Sequence, residues 1–115
     1  DYAFERLNKN LKTDLVINIG RKEIFEFQGG LKVEETGIIH KQKIRKLMRP
    51  YFVHGYGAKF FPESNKINDK YCYLYTNINK EKFLAGIISK SFCATQFHPE
   101  LSGGLWKEFM INFFR

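Results

Sequence analysis

Between Tyr71 and Phe97 the chain reads as strand after strand, separated only by short polar turns. Tyr71, Tyr73 and Tyr75 alternate with Cys72, Leu74 and Thr76, which gives that strand one aromatic face. Lys82 to Ile88 and Phe92 to Phe97 make two further strands, joined by a turn at Ser89, Lys90 and Ser91. From Ser102, read as an N-cap, Leu105, Trp106, Phe109, Met110 and Phe113 mark one face of a final helix. This order predicts a β-rich α/β structure with a C-terminal helix.

Upstream, Leu15, Val16, Ile17 and Ile19, then Ile24, Phe25 and Phe27, form two β-like runs around Gly20, Arg21 and Lys22. That spacing predicts a hairpin, ended by Gln28, Gly29 and Gly30. Gly37 to Met48 is ambiguous, since Ile38 and Ile39 favour strand while Ile44, Leu47 and Met48 have helical spacing. Arg49 to His54 reads as a strand closed by Gly55 and Gly57, and a polar loop runs from Pro62 to Lys70. Asp1 to Leu11 is mixed and reads as a short helix. No repeat or linker divides the sequence, so residues 1–115 are read as a single domain.

A chain of 115 residues with 43% apolar content has enough material to bury roughly two thirds of its unfolded surface. No apolar run approaches the ~18 residues of a membrane span, and no basic-then-apolar leader is present, so no membrane partner is expected. Two cysteines without a framework suit a reducing cytoplasm. The net charge is +7, with one basic concentration at Lys41, Lys43, Arg45, Lys46 and Arg49. Such a balance attracts nucleic acid, a phosphorylated substrate or an acidic partner subunit. Dispersed lysine reads first as a solvated surface, and nucleic acid is not the expected partner. The tyrosines of Tyr71 to Tyr75 could stack bases, but sheet-face packing is the simpler reading.

The chemistry concentrates at Thr95, Gln96, Phe97, His98, Pro99 and Glu100. In extended backbone, residues i and i+2 project to the same side, so the Glu100 carboxylate reaches the His98 ring. Pro99 fixes its own φ and biases His98 toward extended geometry. A basic imidazole held by a carboxylate is the base-plus-orienter half of a nucleophilic triad. Taken alone, His-Pro-Glu also reads as a strand-to-turn junction with a surface carboxylate.

Gln96 to Glu100 resemble the His-Glu motif of class I, triad-type glutamine amidotransferases, in which a cysteine attacks the glutamine amide and ammonia is released. Tyr51, Phe52, Val53, His54, Gly55 and Tyr56 resemble the Tyr-Phe-Val-His-Ser/Thr-Tyr segment of the branch that serves imidazole glycerol phosphate synthase. Asn112 and Phe113 fall where that branch has Asn-Phe in its last helix. The resemblance runs from about Tyr51 to Phe114 and implies the C-terminal portion of a flavodoxin-like amidotransferase domain. It implies His98 and Glu100 as catalytic residues and glutamine as substrate, with His54, Gly55 and Tyr56 bordering the glutamine pocket. For His54 a structural role behind that pocket is the preferred reading. The resemblance further implies Tyr51 and the position of Leu101 at an interface with a synthase (cyclase) subunit that receives the ammonia. Neither a cofactor nor a metal is implied.

The sequence departs from this pattern in several places. Gly55 stands where Ser or Thr is usual, Leu101 where Lys is usual, and Trp106 where Gly is common. No Gly-X-Cys-X-Gly nucleophile elbow is present, and the oxyanion strand is unmatched. Cys93 lies five residues before His98 on what reads as the same strand, about 16 Å away at ~3.3 Å per residue, too far for a nucleophile–base bond. Cys72 sits among aromatics with no glycine to make an exposed turn. Both read as small buried hydrophobes, so the chain is expected to be inactive alone. The expectation is therefore the glutaminase component of an amidotransferase in histidine biosynthesis, cytoplasmic and partial. A related amidotransferase of nucleotide-sugar or surface-polysaccharide synthesis is the alternative, and a non-catalytic basic binding module on a decayed amidotransferase fold is the rival from another class.

Overall fold

The computed structural model describes residues 13–37, 49–61 and 67–114, with side chains from Ile17 onward in the first strand. The readings made for Asp1 to Leu11, for the core of Gly37 to Met48 with most of its basic residues, and for Pro62 to Lys66 lie outside the described residues. Among the described residues, six strands, β1 (Thr13–Arg21), β2 (Phe25–Glu26), β3 (Tyr51–Ala58), β4 (Cys72–Ile78), β5 (Glu81–Ile88) and β6 (Cys93–Thr95), precede a helix at Gly104–Phe113. The described domain is α/β, with every strand pair antiparallel: a β1-β3 ribbon and a sheet in the order β2-β4-β5-β6.

The alternation in β4 has the expected result. Cys72 and Leu74 join a core with Ile24, Val33, Phe52, Ala85, Ile88, Phe97, Trp106 and Phe109. The opposite face packs Tyr73, flanked by Tyr71 and Tyr75, with Phe60, Leu84, Ile87 and Ala94. The tyrosine row is thus core packing, with Phe60 stacked on Tyr73 and Tyr75 at 6.0 and 5.8 Å. Phe83 to Ile88 are all buried, as in a strand covered on both faces. The helix buries Trp106 and Phe109, with Leu105, Met110 and Phe113 packed around them, so its predicted face is the buried one.

Several local expectations are corrected. β1 and β2 do not form a hairpin: β1 pairs with β3, and β2 pairs with β4. Gly20 takes φ +102, a left-handed bend, and the chain leaves β1 to cross to the other sheet, where Gly30 passes the Tyr71 carbonyl too closely for any side chain. Gly55 and Gly57 do not close β3, which runs on to Ala58, and Phe60 N–H then reaches Lys82 O at 2.9 Å beside β5. The strand read at Phe92 to Phe97 is only Cys93–Thr95. Ser102 is not the helix N-cap; Gly103, at φ +106, holds that position without a side-chain cap. Among the described residues no helix is long and apolar enough to cross a membrane.

Candidate functional site

The site lies where the chain leaves β6 and folds against the start of β3. Thr95 Oγ1–H donates to Phe97 O at 3.0 Å, and the buried Phe97 ring packs at 5.7 Å from Phe52 and 4.6 Å from Trp106. These contacts anchor the residue immediately before His98. His98 itself is extended, φ −99 and ψ 100, as expected before proline. Pro99–Leu101 then form a single 3-10 turn, so the Glu100 carboxylate returns to the ring over a turn and not along a strand. The predicted contact is present, with a different backbone beneath it: His98 Nδ1 lies 2.8 Å from Glu100 Oε1.

Backbone bonds hold this turn to Tyr51. His98 N–H donates to Tyr51 O at 2.9 Å, and Tyr51 N–H donates to Ser102 Oγ at 2.7 Å. The Ser102 hydroxyl donates in turn to His98 O. Arg21 Nη1 reaches the carbonyls of Arg49 and Ser102 at 3.0 and 3.2 Å, closing the far side. Tyr51 is half-buried, with both its backbone groups committed to the turn, and Leu101 is exposed on that turn. Ser102 and Arg21 were not singled out by the sequence for this role. A serine two residues after a His-X-Glu reads as a cap until its hydroxyl is seen to bridge β3 and the His98 turn.

The His98 and Glu100 side chains are 44% and 53% exposed, so the pair is open to solvent and to a ligand. The Glu100 carboxyl is held below its ordinary range, chiefly by its own backbone N–H, which outweighs the opposing desolvation and is assisted by the bond and charge of His98. It therefore stays ionised at neutral pH, and any stabilisation from the contact is lost only as pH falls through that lowered value. With Glu100 accepting from Nδ1–H, the remaining lone pair of His98 is on Nε2, the arrangement a general base needs.

His54, Gly55 and Tyr56 lie beside this turn on β3. His54 has both ring nitrogens engaged: Nε2 lies 3.0 Å from Asn18 Nδ2 and Nδ1 lies 2.9 Å from Tyr56 O. An amide nitrogen only donates, so Nε2 carries the lone pair and the proton sits on Nδ1, facing the carbonyl. Burial lowers the His54 pKa, opposed by the Tyr56 bond and assisted by the neighbouring His98. His54 is thus a neutral, hydrogen-bonded imidazole and not a second free base. Tyr56 O also accepts from Gln96 Nε2–H at 3.3 Å, while the Tyr56 ring is exposed. At Gly55 an added Cβ would meet nothing within 4 Å, so the strand surface there is open.

Asn18 was missed by the sequence reading. It is fully buried opposite His54, and its Oδ1 has no partner among the described residues. Leaving that oxygen unpaired costs about 1–3 kcal/mol. A bulge between Leu15 and Asn18 sets this register, and it turns Ile17 and Ile19 outward, 77% and 61% exposed. The only sequence signal was one polar residue inside an apolar run.

Cys72 is a buried core residue as expected, whereas Cys93 is only half-buried and packs against that core. Cys72 and Cys93 face Ile88 from opposite neighbouring strands, and both are free. Burial pushes up the Cys72 thiol, with Glu26 beside it adding to the effect, and pushes Cys93 up to about 12. Neither cysteine is expected to react with an aromatic disulfide reagent at pH 8 until the protein is unfolded; rapid colour release from native protein would contradict this placement. Among the described residues no three His, Cys, Asp or Glu side chains gather as metal donors. Neither the family models nor the curated proteins compared with this sequence match it.

Proposed function

We propose that this chain carries the proton-transfer half of a class I glutamine amidotransferase site, on the C-terminal part of a flavodoxin-like domain. The observation that carries the reading is the His98 Nδ1–Glu100 Oε1 bond of 2.8 Å, which orients the ring and leaves Nε2 as the base. The same site has an open strand surface at Gly55 for a substrate. Because Cys72 is buried in the core and Cys93 is half-buried with its thiol pushed up by burial, the attacking cysteine is supplied by polypeptide outside these 115 residues.

The chemistry follows from that arrangement. The thiol gives its proton to His98 Nε2 as sulfur adds to the amide carbon of glutamine. Glu100 stabilises the imidazolium that forms. The imidazolium then protonates the amide nitrogen as the C–N bond breaks, releasing ammonia and leaving a glutamyl thioester. Water, deprotonated by Nε2, hydrolyses the thioester to glutamate and restores the thiol.

Ammonia is passed to a synthase subunit, for which Tyr51 and Leu101 provide the adjoining surface. The preferred synthase is that of imidazole glycerol phosphate, in a cytoplasmic setting, with a nucleotide-sugar amidotransferase as the alternative acceptor. Ammonia release from glutamine, measured on the protein together with the polypeptide bearing a Gly-X-Cys-X-Gly elbow, tests the reading. Turnover that rises when the synthase holds its own substrate is expected. Absence of an elbow-bearing polypeptide, or no ammonia above background, sinks it. The charge of +7 keeps a basic binding module as the second reading. That module would bind a labelled oligonucleotide with affinity falling steeply with salt and would release no ammonia.

A further inference from the structure

Asn18 and His54 tie together three segments that the proposed reaction needs in register. Asn18 comes from β1, His54 and Tyr56 from β3, and Gln96 from the loop that carries His98. The donors converge on one carbonyl: His54 Nδ1–H and Gln96 Nε2–H both point at Tyr56 O. His54 can make its share of that contact only while its proton is on Nδ1, a form that the Tyr56 carbonyl at Nδ1 and the Asn18 amide donating to Nε2 both select.

We propose that Asn18 is a positioning residue: by locking His54 in its Nδ1–H form it fixes the Gly55–Tyr56 backbone beside His98, and so shapes the surface that receives glutamine. The inference rests on the proposed glutaminase function for its last step and on geometry for the others. It also accounts for a buried amide whose oxygen is left unpaired, since the nitrogen alone performs the task. Asn18 touches neither substrate nor the reacting atoms, and its effect passes through His54.

Nitrogen-15 NMR of the histidine rings tests the first part directly. In the wild-type protein at pH 7, His54 is expected as the Nδ1–H tautomer, the minor form of a free imidazole. Asn18→Leu removes the donor to Nε2 while Tyr56 O still faces Nδ1, so the ring is expected to stay Nδ1–H and the Nε2 resonance to move toward that of an unbonded ring nitrogen. Asn18→Asp can only accept, and is expected to draw a proton to Nε2 and give a doubly protonated ring. An Nε2–H ring in the wild type overturns the inference even if neither variant folds; so does an Nε2 resonance unchanged in folded Asn18→Leu, or a folded Asn18→Asp whose ring stays singly protonated. The second readout is kinetic, on the protein with its elbow-bearing polypeptide. Asn18→Leu is expected to raise KM for glutamine about tenfold, the loss of roughly one hydrogen bond's positioning, with kcat within about threefold of wild type. An unchanged KM in a working glutaminase overturns the positioning role and leaves the function standing. The expected tautomers in a protein without glutaminase activity support the Asn18–His54 lock and sink the function.

Discussion

Exchange of His98 for asparagine is expected to lower kcat for glutamine hydrolysis by about 10²–10⁴-fold, with KM little changed. Asparagine keeps an N–H that can donate to Glu100 Oε1, in place of the Nδ1 contact at 2.8 Å. It does not disturb the clamp to Tyr51 and Ser102, which uses only the backbone of residue 98. What it removes is the basic Nε2, so the loss falls on the chemical step and not on folding. Glu100→Gln should also act on kcat, for a different reason. A glutamine amide can donate to Nδ1 and stabilise the tautomer whose proton lies on Nε2, which takes the lone pair away from the substrate side. Steady-state kinetics of the two variants, beside their thermal midpoints, check this. A His98→Asn protein that keeps near-wild-type kcat would remove His98 from the mechanism.

Replacing Trp106 by alanine is expected to cost about 3–5 kcal/mol, the largest stability effect in the domain. Its ring is 1% exposed and stands between Phe97 at 4.6 Å and Phe109 at 5.2 Å. Phe97 continues to Phe52 at 5.7 Å, so a single aromatic row joins the helix, the loop before His98 and β3. Removing the ring opens a cavity under that row and frees the residue on which His98 is mounted. The expected loss is a large fraction of the roughly 5–15 kcal/mol that holds a domain of this size folded. Trp106→Phe is the control. It keeps most of the packing and removes an indole N–H that is buried with no partner among the described residues, so it should cost well under half as much. Urea midpoints at constant m separate these outcomes. Equal losses for Ala and Phe would mean that the N–H, not the ring, is what the core requires.

How much of this was legible in the sequence depends on the range of the interaction. β4, β5 and the helix face were readable because alternation and helical periodicity are local, and each apolar position met the core it implied. The β4–β5 connection was less visible, since Asn79 and Lys80 both take positive φ, at 51° and 67°, without the glycine that usually announces such a turn. The partner of β1 was not readable at all. Two adjacent apolar runs suggested a hairpin, but the pairing to β3 spans more than thirty residues, from Asn18 to His54. The same long-range pairing hid Asn18, whose value lies in what faces it.

At the site, the His98–Glu100 contact was legible because two residues and a proline determine it. The surrounding hold was not. Ser102 has the residue type of a helix cap, yet its hydroxyl is spent on Tyr51 and His98. Gly55 and Gly57 have the residue type of a strand end, yet β3 continues through both: Gly57 pairs with Asp14, and the His54 and Tyr56 pairs flank Gly55 opposite the bulge in β1.

The most direct measurement is mass-spectrometric mapping of the thioester formed when the elbow-bearing assembly is mixed with glutamine and quenched within one turnover. The account predicts a glutamyl adduct on a cysteine outside this chain, formed at least a hundredfold more slowly when His98 is asparagine. An adduct on Cys72 or Cys93, or one that forms at the same rate without the His98 imidazole, would contradict it.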